Sequence, residues 1–549
     1  LDDAVKHLED CPNKTLHVFS SHWGECYWCQ RTNDLGVDIF YGKVRPYPTS
    51  AEECLNRGNN YYQEGNLVKA IDFYTEAIRL NPDDAYACNL RGFARYHKGD
   101  LDSAIADFNV AIRLHPDDAT AYNNRGFARS EQGDLEGAIA DYTEAIRLNP
   151  DYATAYNNRG NARYDQGNLD SAIADYTEAI RLNSNDANAY NNRGNARRNQ
   201  GDLDNAIADF NVAIRLQPDF SLAYNNRGNA HCNRGKLDSA IADYTEAIRL
   251  NPDYANAYYN RGIARREQGD LEGAIADYTE VIRLQPNDAT AYQNRGFARY
   301  QQGDLDSAIA DFNEAIRLNP NDAETYKNRG NARYQQGDLD SAIADFTEAI
   351  RLKPDYADAY HNRGDARRNQ GDLEGAIADY TEAIRLKPDY AAAYNNRGNA
   401  RYQQGDLDSA IADFTEVIRL KPNLATAYHN RGFARYHKGD LEGAIADYTE
   451  AIRLNPDYAT AYNNRGFARR KQGDLEGAIA DYTEAIRLNP NDAAAYNNRG
   501  KAHYQQGDLK STIADYTEAI RLNPNDAAAY NNRGKAHYQQ GDLKSTIAD

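Results

Sequence analysis

Methionine is absent from all 549 residues. A chain that opens on Leu1-Asp2-Asp3 without it reads as the inside of a longer protein. That opening also lacks the basic segment and apolar core of a secretory signal peptide. No apolar run approaches the roughly 20 residues that cross a bilayer, so no membrane partner is expected. Cysteine is scarce. Six are present, too scattered for a disulfide framework, which points to a reducing, cytoplasmic compartment. Positive charge is outweighed, with 63 Lys and Arg against 82 Asp and Glu and a net charge of −19. Such a chain is a poor match to phosphate backbones, and no nucleic-acid partner is expected. The sequence holds no Gly-rich phosphate loop, no H-R-D and no D-F-G. Nor does any set of nucleophile, base and oxyanion donor recur, so the chain is expected to be non-enzymatic.

What it has in abundance is one stretch. Residues 119–152, ATAYNNRGFARSEQGDLEGAIADYTEAIRLNPDY, span a 34-residue period, and close copies run without a gap from Ala51 to the last residue. Fourteen copies are complete and a fifteenth is cut at Asp549. A fixed period of this length settles the architecture before any local reading, because each copy must bury its apolar face on the next. Counting positions from the first residue of each copy, small or apolar residues fall at 1, 3, 4, 8 and 10, then at 17, 20, 21, 24, 27, 28 and 30. Both sets have helical spacing. In the third copy Gly133 is placed to end the first helix in a left-handed turn, and Asp134 to cap the second. Pro150 stops that second helix, and only the fourth copy departs, with Ser184.

The unit resembles the tetratricopeptide repeat (TPR), which wants an aromatic at position 4, Leu-Gly at 7 and 8, Tyr at 11, Ala at 20 and 27, an aromatic at 24 and Pro at 32. Tyr122, Gly126, Ala138, Tyr142, Ala145 and Pro150 supply that pattern in the third copy. The resemblance covers residues 51–549. It implies an all-α fold, a right-handed superhelical α-solenoid of about 15 helix-turn-helix units whose first helices line a concave groove.

Two departures from that pattern carry charge. Position 7 is arginine in every copy and position 11 is arginine in eleven, as in Arg125 and Arg129. Aspartate fills position 23 in every copy but the first, as in Asp141. Arginines four apart share a helix face, and an aspartate on the neighbouring helix bridges them in a structural ladder. The alternative is an arginine track for anions, against which the matching aspartates stand.

The second helix barely changes between copies, whereas positions 2, 5, 9, 12 and 13 of the first helix vary along one stripe. Phe93, Phe127 and Phe297 hold position 9, and Tyr164 and Arg198 hold position 12. These are aromatic anchors and bidentate donors of the kind enriched in interface hot spots. Position 6 is asparagine in all copies but the second, through Asn124, Asn158, Asn192, Asn226, Asn260, Asn294 and Asn328. An amide donates and accepts together, and the resemblance implies a ladder that binds peptide backbone. Bonding of each asparagine within its own repeat is equally compatible with the sequence.

Residues 1–40 stand apart, followed by a linker at 41–50 with two prolines. Leu1–Asp10 has helical spacing up to Cys11-Pro12. Cys11, His17, Cys26 and Cys29 then form C-x5-H-x8-C-x2-C. A segment with so few aliphatics cannot build its own core, and four sulfur or nitrogen donors suit a closed structural zinc. The segment resembles the Cys/His tail that follows the catalytic domain of cyanobacterial serine/threonine kinase-like proteins. Together these readings give a scaffold binding protein or peptide segments in the groove, the regulatory arm of a larger kinase-like protein. The alternative is a structural protein assembling head to tail into filaments, because near-identical ends invite self-association.

Overall fold

The computed structural model describes residues 17–20 and 26–29 as strands, and residues 50–548 in full. Cys11 and the helix expected over Leu1–Asp10 lie outside the described residues. Strand β1 (His17–Ser20) pairs antiparallel with β2 (Cys26–Cys29), with His17 opposite Cys29 and Ser20 opposite Cys26. The backbone of the C-x2-C is extended within β2, where Tyr27 and Trp28 between the cysteines favour a strand.

From residue 51 onward the described residues form thirty helices, α1 (Ala51–Gln63) through α30 (Leu543–Ala548). Each repeat contributes two, as in α5 (Ala119–Glu131) and α6 (Leu135–Leu148). The punctuation expected from the sequence forms the turn between them. Gly133 has φ +84°, in the left-handed region that a side chain resists. Asp134 then accepts a hydrogen bond from the Gly137 N–H at 2.9 Å, satisfying one free donor of the new helix. Beyond α6, Asn149 leaves helical geometry one residue before Pro150.

Helices pack chiefly on their sequence neighbours, as expected when each repeat buries its apolar face on the next. The chain divides into two compact units, Leu1–Asn260 and Arg261–Asp549. Within the first unit, Ala138 and Tyr142 of the third repeat meet Ala162 of the fourth, all fully or almost fully buried. Within the second, Ala376, Tyr380 and Ala400 repeat the same contact. Glycine at position 8 makes room for the ring at position 24. A Cβ built on Gly160 would stand 2.6 Å from Cε1 of Tyr176. The two helices of a repeat therefore approach as closely as a bare Cα allows.

Candidate functional site

The charged residues resolve first. Arg125 donates through Nε and Nη2 to both oxygens of Asp141, at 2.9 and 2.5 Å, while Arg129 Nη1 donates to the same carboxylate at 2.9 Å. Asp141 is 3 % exposed, so its charge must be paired where it stands. The position 7 arginine meets its aspartate in thirteen successive repeats, from Arg91–Asp107 to Arg499–Asp515. In the first repeat, where position 23 is Phe73, Arg57 pairs instead with Glu53. The remaining guanidinium nitrogen reaches back one repeat. Arg159 Nη1 donates to Thr143 Oγ1 at 3.2 Å, and Arg125 Nη1 to Asn109 Oδ1 at 2.7 Å. The position 7 side chain also lies over the ring at position 4, with Arg125 Cζ 5.4 Å from the Tyr122 centroid. One arginine thus ties three helices together. The ladder is structural, and its guanidinium groups are occupied.

The asparagines at position 6 face the seams between repeats. Asn124 Nδ2 donates to Asn89 Oδ1 and Asn158 Nδ2 to Asn123 Oδ1, both at 3.1 Å. Asn226 and Asn260 do the same to Asn191 and Asn225, at 3.0 Å. Asn192 reaches Asn157 at 3.3 Å and Asn161 at 3.1 Å. The amide N–H groups of these asparagines find the preceding repeat, and in the fifth repeat Asn192 Oδ1 also accepts from Asn191 of its own repeat at 3.4 Å. Asn294 differs: its amide donates to the Thr290 carbonyl at 2.9 Å, and its oxygen accepts from Arg266 at 3.0 Å. Asn226 and Asn328 are only 5 % and 7 % exposed. Position 5, placed on the variable stripe by its sequence, supplies the acceptors from Asn124, Asn158, Asn226 and Asn260 and one of the two for Asn192. Asn89, Asn123, Asn191 and Asn225 are buried accordingly.

The open part of the first-helix face is narrower than the stripe, and it is aromatic. In the first unit, Phe93 lies 5.9 Å from Tyr62 and 4.6 Å from His97 between ring centroids. Tyr96 continues to Phe127 of the next repeat at 5.1 Å. In the second unit, Tyr402 meets Phe433 at 5.3 Å and Tyr436 meets Phe467 at 5.8 Å. Position 12 of one repeat therefore sits against position 9 of the next. Arg266 over Phe297, at 5.4 Å, follows the same register with a cation on a ring. Phe127 remains 38 % exposed despite its neighbours.

Repeats three to five open a cleft of about 320 Å³ on this face. Phe127, Asn158, Tyr164 and Asn192, four of the residues singled out from the sequence, line it together with Tyr142, Tyr176, Asn161 and Asn195. The Glu131 and Asp165 carboxylates stand among them. Beyond the cleft Tyr164 accepts a hydrogen bond from Asn199 at 2.6 Å, and Arg198 donates to Asn199 at 3.3 Å. The cleft does not include Asn124, Phe93 or Arg198, and Asn294, Phe297 and Asn328 belong to the second unit.

Position 9 has a second use that its variability concealed. Tyr74, Tyr176 and Tyr244 at position 24 donate through their hydroxyls to Asn59, Asn161 and Asn229, each at 2.8 Å, and Tyr380 donates to Asp365 at 2.6 Å. The signal lay in comparing two positions at once, since an amide or carboxylate at 9 accompanies tyrosine at 24 in these four repeats. In the fifth repeat Asn195 faces Phe210 instead, and its Oδ1 is buried without a partner.

Among the described residues no cluster of three or more His, Cys, Asp or Glu could hold a metal ion, and the side chains of Cys11, His17, Cys26 and Cys29 lie outside them. No helix among them is long and apolar enough to cross a membrane. Family models described as TPR repeat or tetratricopeptide repeat match residues 51–84, 94–167, 158–219 and, in overlapping stretches, 228–541. No curated protein matches the chain. Among solved structures, the Cut9–Hcn1 hetero-tetramer of the APC/C is 16 % identical over 89 % of this chain and 96 % of that one, with a TM-score of 0.36. A tetratricopeptide repeat protein from Parabacteroides merdae is 23 % identical over 46 % of this chain and 99 % of its own, with a TM-score of 0.39. YrrB, described as a TPR protein with an unusual peptide-binding site, is 25 % identical over 34 % of this chain and 95 % of its own, at 0.30.

Proposed function

Because this chain belongs to the tetratricopeptide repeat family, we propose that it is a non-catalytic scaffold that receives an extended peptide segment on its first-helix face. The observation that carries this reading is the cleft of repeats three to five, where exposed Phe127 and the amides of Asn158 and Asn192 converge. Aromatic rings give apolar anchorage at low entropic cost, and amides give the paired polar contacts an extended backbone requires. Asn158 spends one amide N–H and Asn192 both on the preceding repeat, and the Asn192 oxygen already accepts from Asn191, so it is the Asn158 oxygen that would accept from the backbone N–H of a guest. Peptides selected from an unbiased displayed library against the full chain test the reading. Phe127→Ala is expected to weaken the selected peptides by about 30-fold, the size of a hot-spot loss of ~2 kcal/mol. Unchanged affinity in that variant, with unchanged helicity, would remove the cleft from the binding face.

A structural zinc on Cys11, His17, Cys26 and Cys29 is a separate proposal. Its support is the donor set and the backbone register that sets His17 opposite Cys29. The extended C-x2-C does not match a zinc knuckle turn. Metal analysis of the purified chain should return one zinc per molecule, released by chelator. A metal-free chain with reactive thiols would end the assignment.

A further inference from the structure

The seam bond from position 6 of one repeat to position 5 of the repeat before it commonly has an amide at both ends. In the second unit Asn430 donates to Asn395 Oδ1 at 3.0 Å, and Asn498 donates to Asn463 Oδ1 at 3.1 Å. Between these two, at the seam of repeats 12 and 13, the acceptor is an imidazole. Asn464 Nδ2, on α25 (Ala459–Gln472), lies 3.0 Å from Nε2 of His429, on α23 (Ala425–Lys438). An amide nitrogen only donates, so Nε2 accepts and carries no proton. The other ring nitrogen, Nδ1, lies 3.4 Å from Asn430 Oδ1, which receives its hydrogen. Both contacts are those of a neutral ring. Aromatic side chains enclose it. Tyr458, at the start of α25, lies 5.1 Å away between centroids, Tyr448 of α24 (Leu441–Leu454) 5.7 Å and Phe433 of its own helix 6.3 Å. Burial holds the Tyr448 and Tyr458 phenols above the ordinary tyrosine range, so neither carries charge in neutral or acidic solution. Asp447, beside Tyr448, is held by Arg431 and Arg435, and His437, two turns along α23, is exposed. Burial accordingly pushes His429 below the ordinary histidine range, against the smaller opposing effect of the Asn430 bond.

Repeat 10 also has a histidine at position 5, set in a different frame. His361 Nε2 stands 3.5 Å from Asp365 Oδ2, and Asn396 of the next repeat donates to Asp365 Oδ1 at 2.9 Å. A proton on His361 finds a carboxylate, whereas one on His429 Nε2 finds the N–H of an amide. We propose that His429 makes the seam between repeats 12 and 13 a proton-operated joint, closed while the ring is neutral and loosened when it is protonated. The added N–H would point at the donor from which Nε2 now accepts. Turning the Asn464 amide over restores one bond, yet it leaves the imidazolium charge among aromatic rings with no acid to balance it. The closed seam thus holds a proton less tightly than the open one. Its stability is intact above the ordinary histidine value of about 6.5 and is lost progressively as pH falls below it. Tyr436 on α23 and Phe467 on α25 lie 5.8 Å apart between ring centroids and ride on the same two helices. The joint therefore carries a change of pH to the spacing of the first-helix face, whatever that face binds.

Amide hydrogen exchange on the full chain, corrected for the intrinsic rate at each pH, reads the joint. Opening of residues 425–438 and 459–472 should rise at least about threefold between about pH 7.5 and about pH 5.5. His429→Asn should abolish that rise. Asparagine holds this position in the flanking repeats, as Asn395 and Asn463, and accepts the same bond there, so the variant keeps the fold. His361→Asn should leave the rise at repeats 12 and 13 in place. The His429 ring, followed by its own magnetic resonance signal, should titrate below the ordinary histidine value and shift in step with the opening. A parent seam indifferent to pH would overturn the joint. So would a rise that persists in His429→Asn, or a ring that titrates at or above the ordinary value.

Discussion

Asp141→Ala is expected to lower the opening free energy of α5 and α6 by about 3 kcal/mol, because it strands two arginines on a buried surface. Arg125 and Arg129 both end on this carboxylate, and their side chains are 16 % and 27 % exposed. That partial exposure holds the loss at the lower end of the range for broken buried pairs. Amide hydrogen exchange across residues 119–148 reads the effect locally, which matters in an array whose repeats need not unfold together. The companion variant replaces the whole set by apolar residues, Arg125→Leu, Arg129→Tyr and Asp141→Leu. It should recover most of the loss or exceed the parent, since a buried ion network repays little more than its own desolvation. A triple variant as unstable as Asp141→Ala alone would mean that the bond from Arg125 to Asn109 of the preceding repeat carries more than the ion pair does.

The ladder was legible in the sequence because burial leaves a charge no choice of partner. Arginines four apart on one helix and an aspartate at the matching place on the next admit one arrangement once the hairpin forms. The turns were legible for a similar reason, since Gly133 and Asp134 answer local requirements of their own few residues. The asparagines were not. Asn158 bonds to Asn123, 35 residues earlier, and that partner depends on the rotation of one repeat on the next, which no spacing within a repeat encodes. The first-helix stripe was legible only as variation. Burial then divides it, sending Asn123 into the seam and leaving Phe127 open, although both varied alike. The hairpin of His17–Ser20 with Cys26–Cys29 was not legible in the cysteine spacing, because its strands follow from the β-forming Val18, Phe19, Tyr27 and Trp28.

Tyr176→Ala is expected to cost ~3–5 kcal/mol, the loss of a large buried ring together with the cavity it leaves. The ring is 1 % exposed, packs with Ala172 and Ala196, and holds Asn161 through its hydroxyl. Gly160→Ala should cost ~1–3 kcal/mol in the parent chain, because the added Cβ would lie 2.6 Å from that ring and the close-packed hairpin has to spread. The two residues occupy the same space, so their effects cannot add. In the Tyr176→Ala background the Gly160→Ala change is expected to become neutral or to stabilise by up to about 1 kcal/mol, through the better helix propensity of alanine and the partial filling of the cavity. Exchange protection across residues 153–182 measures all four corners of this cycle. Additive losses would show that the glycine is kept for a contact other than the ring. A reversal of sign would establish the pairing of positions 8 and 24 as the contact that sets how closely the two helices of each hairpin approach, and so how far apart successive first helices present Phe127, Tyr164 and their counterparts to a guest.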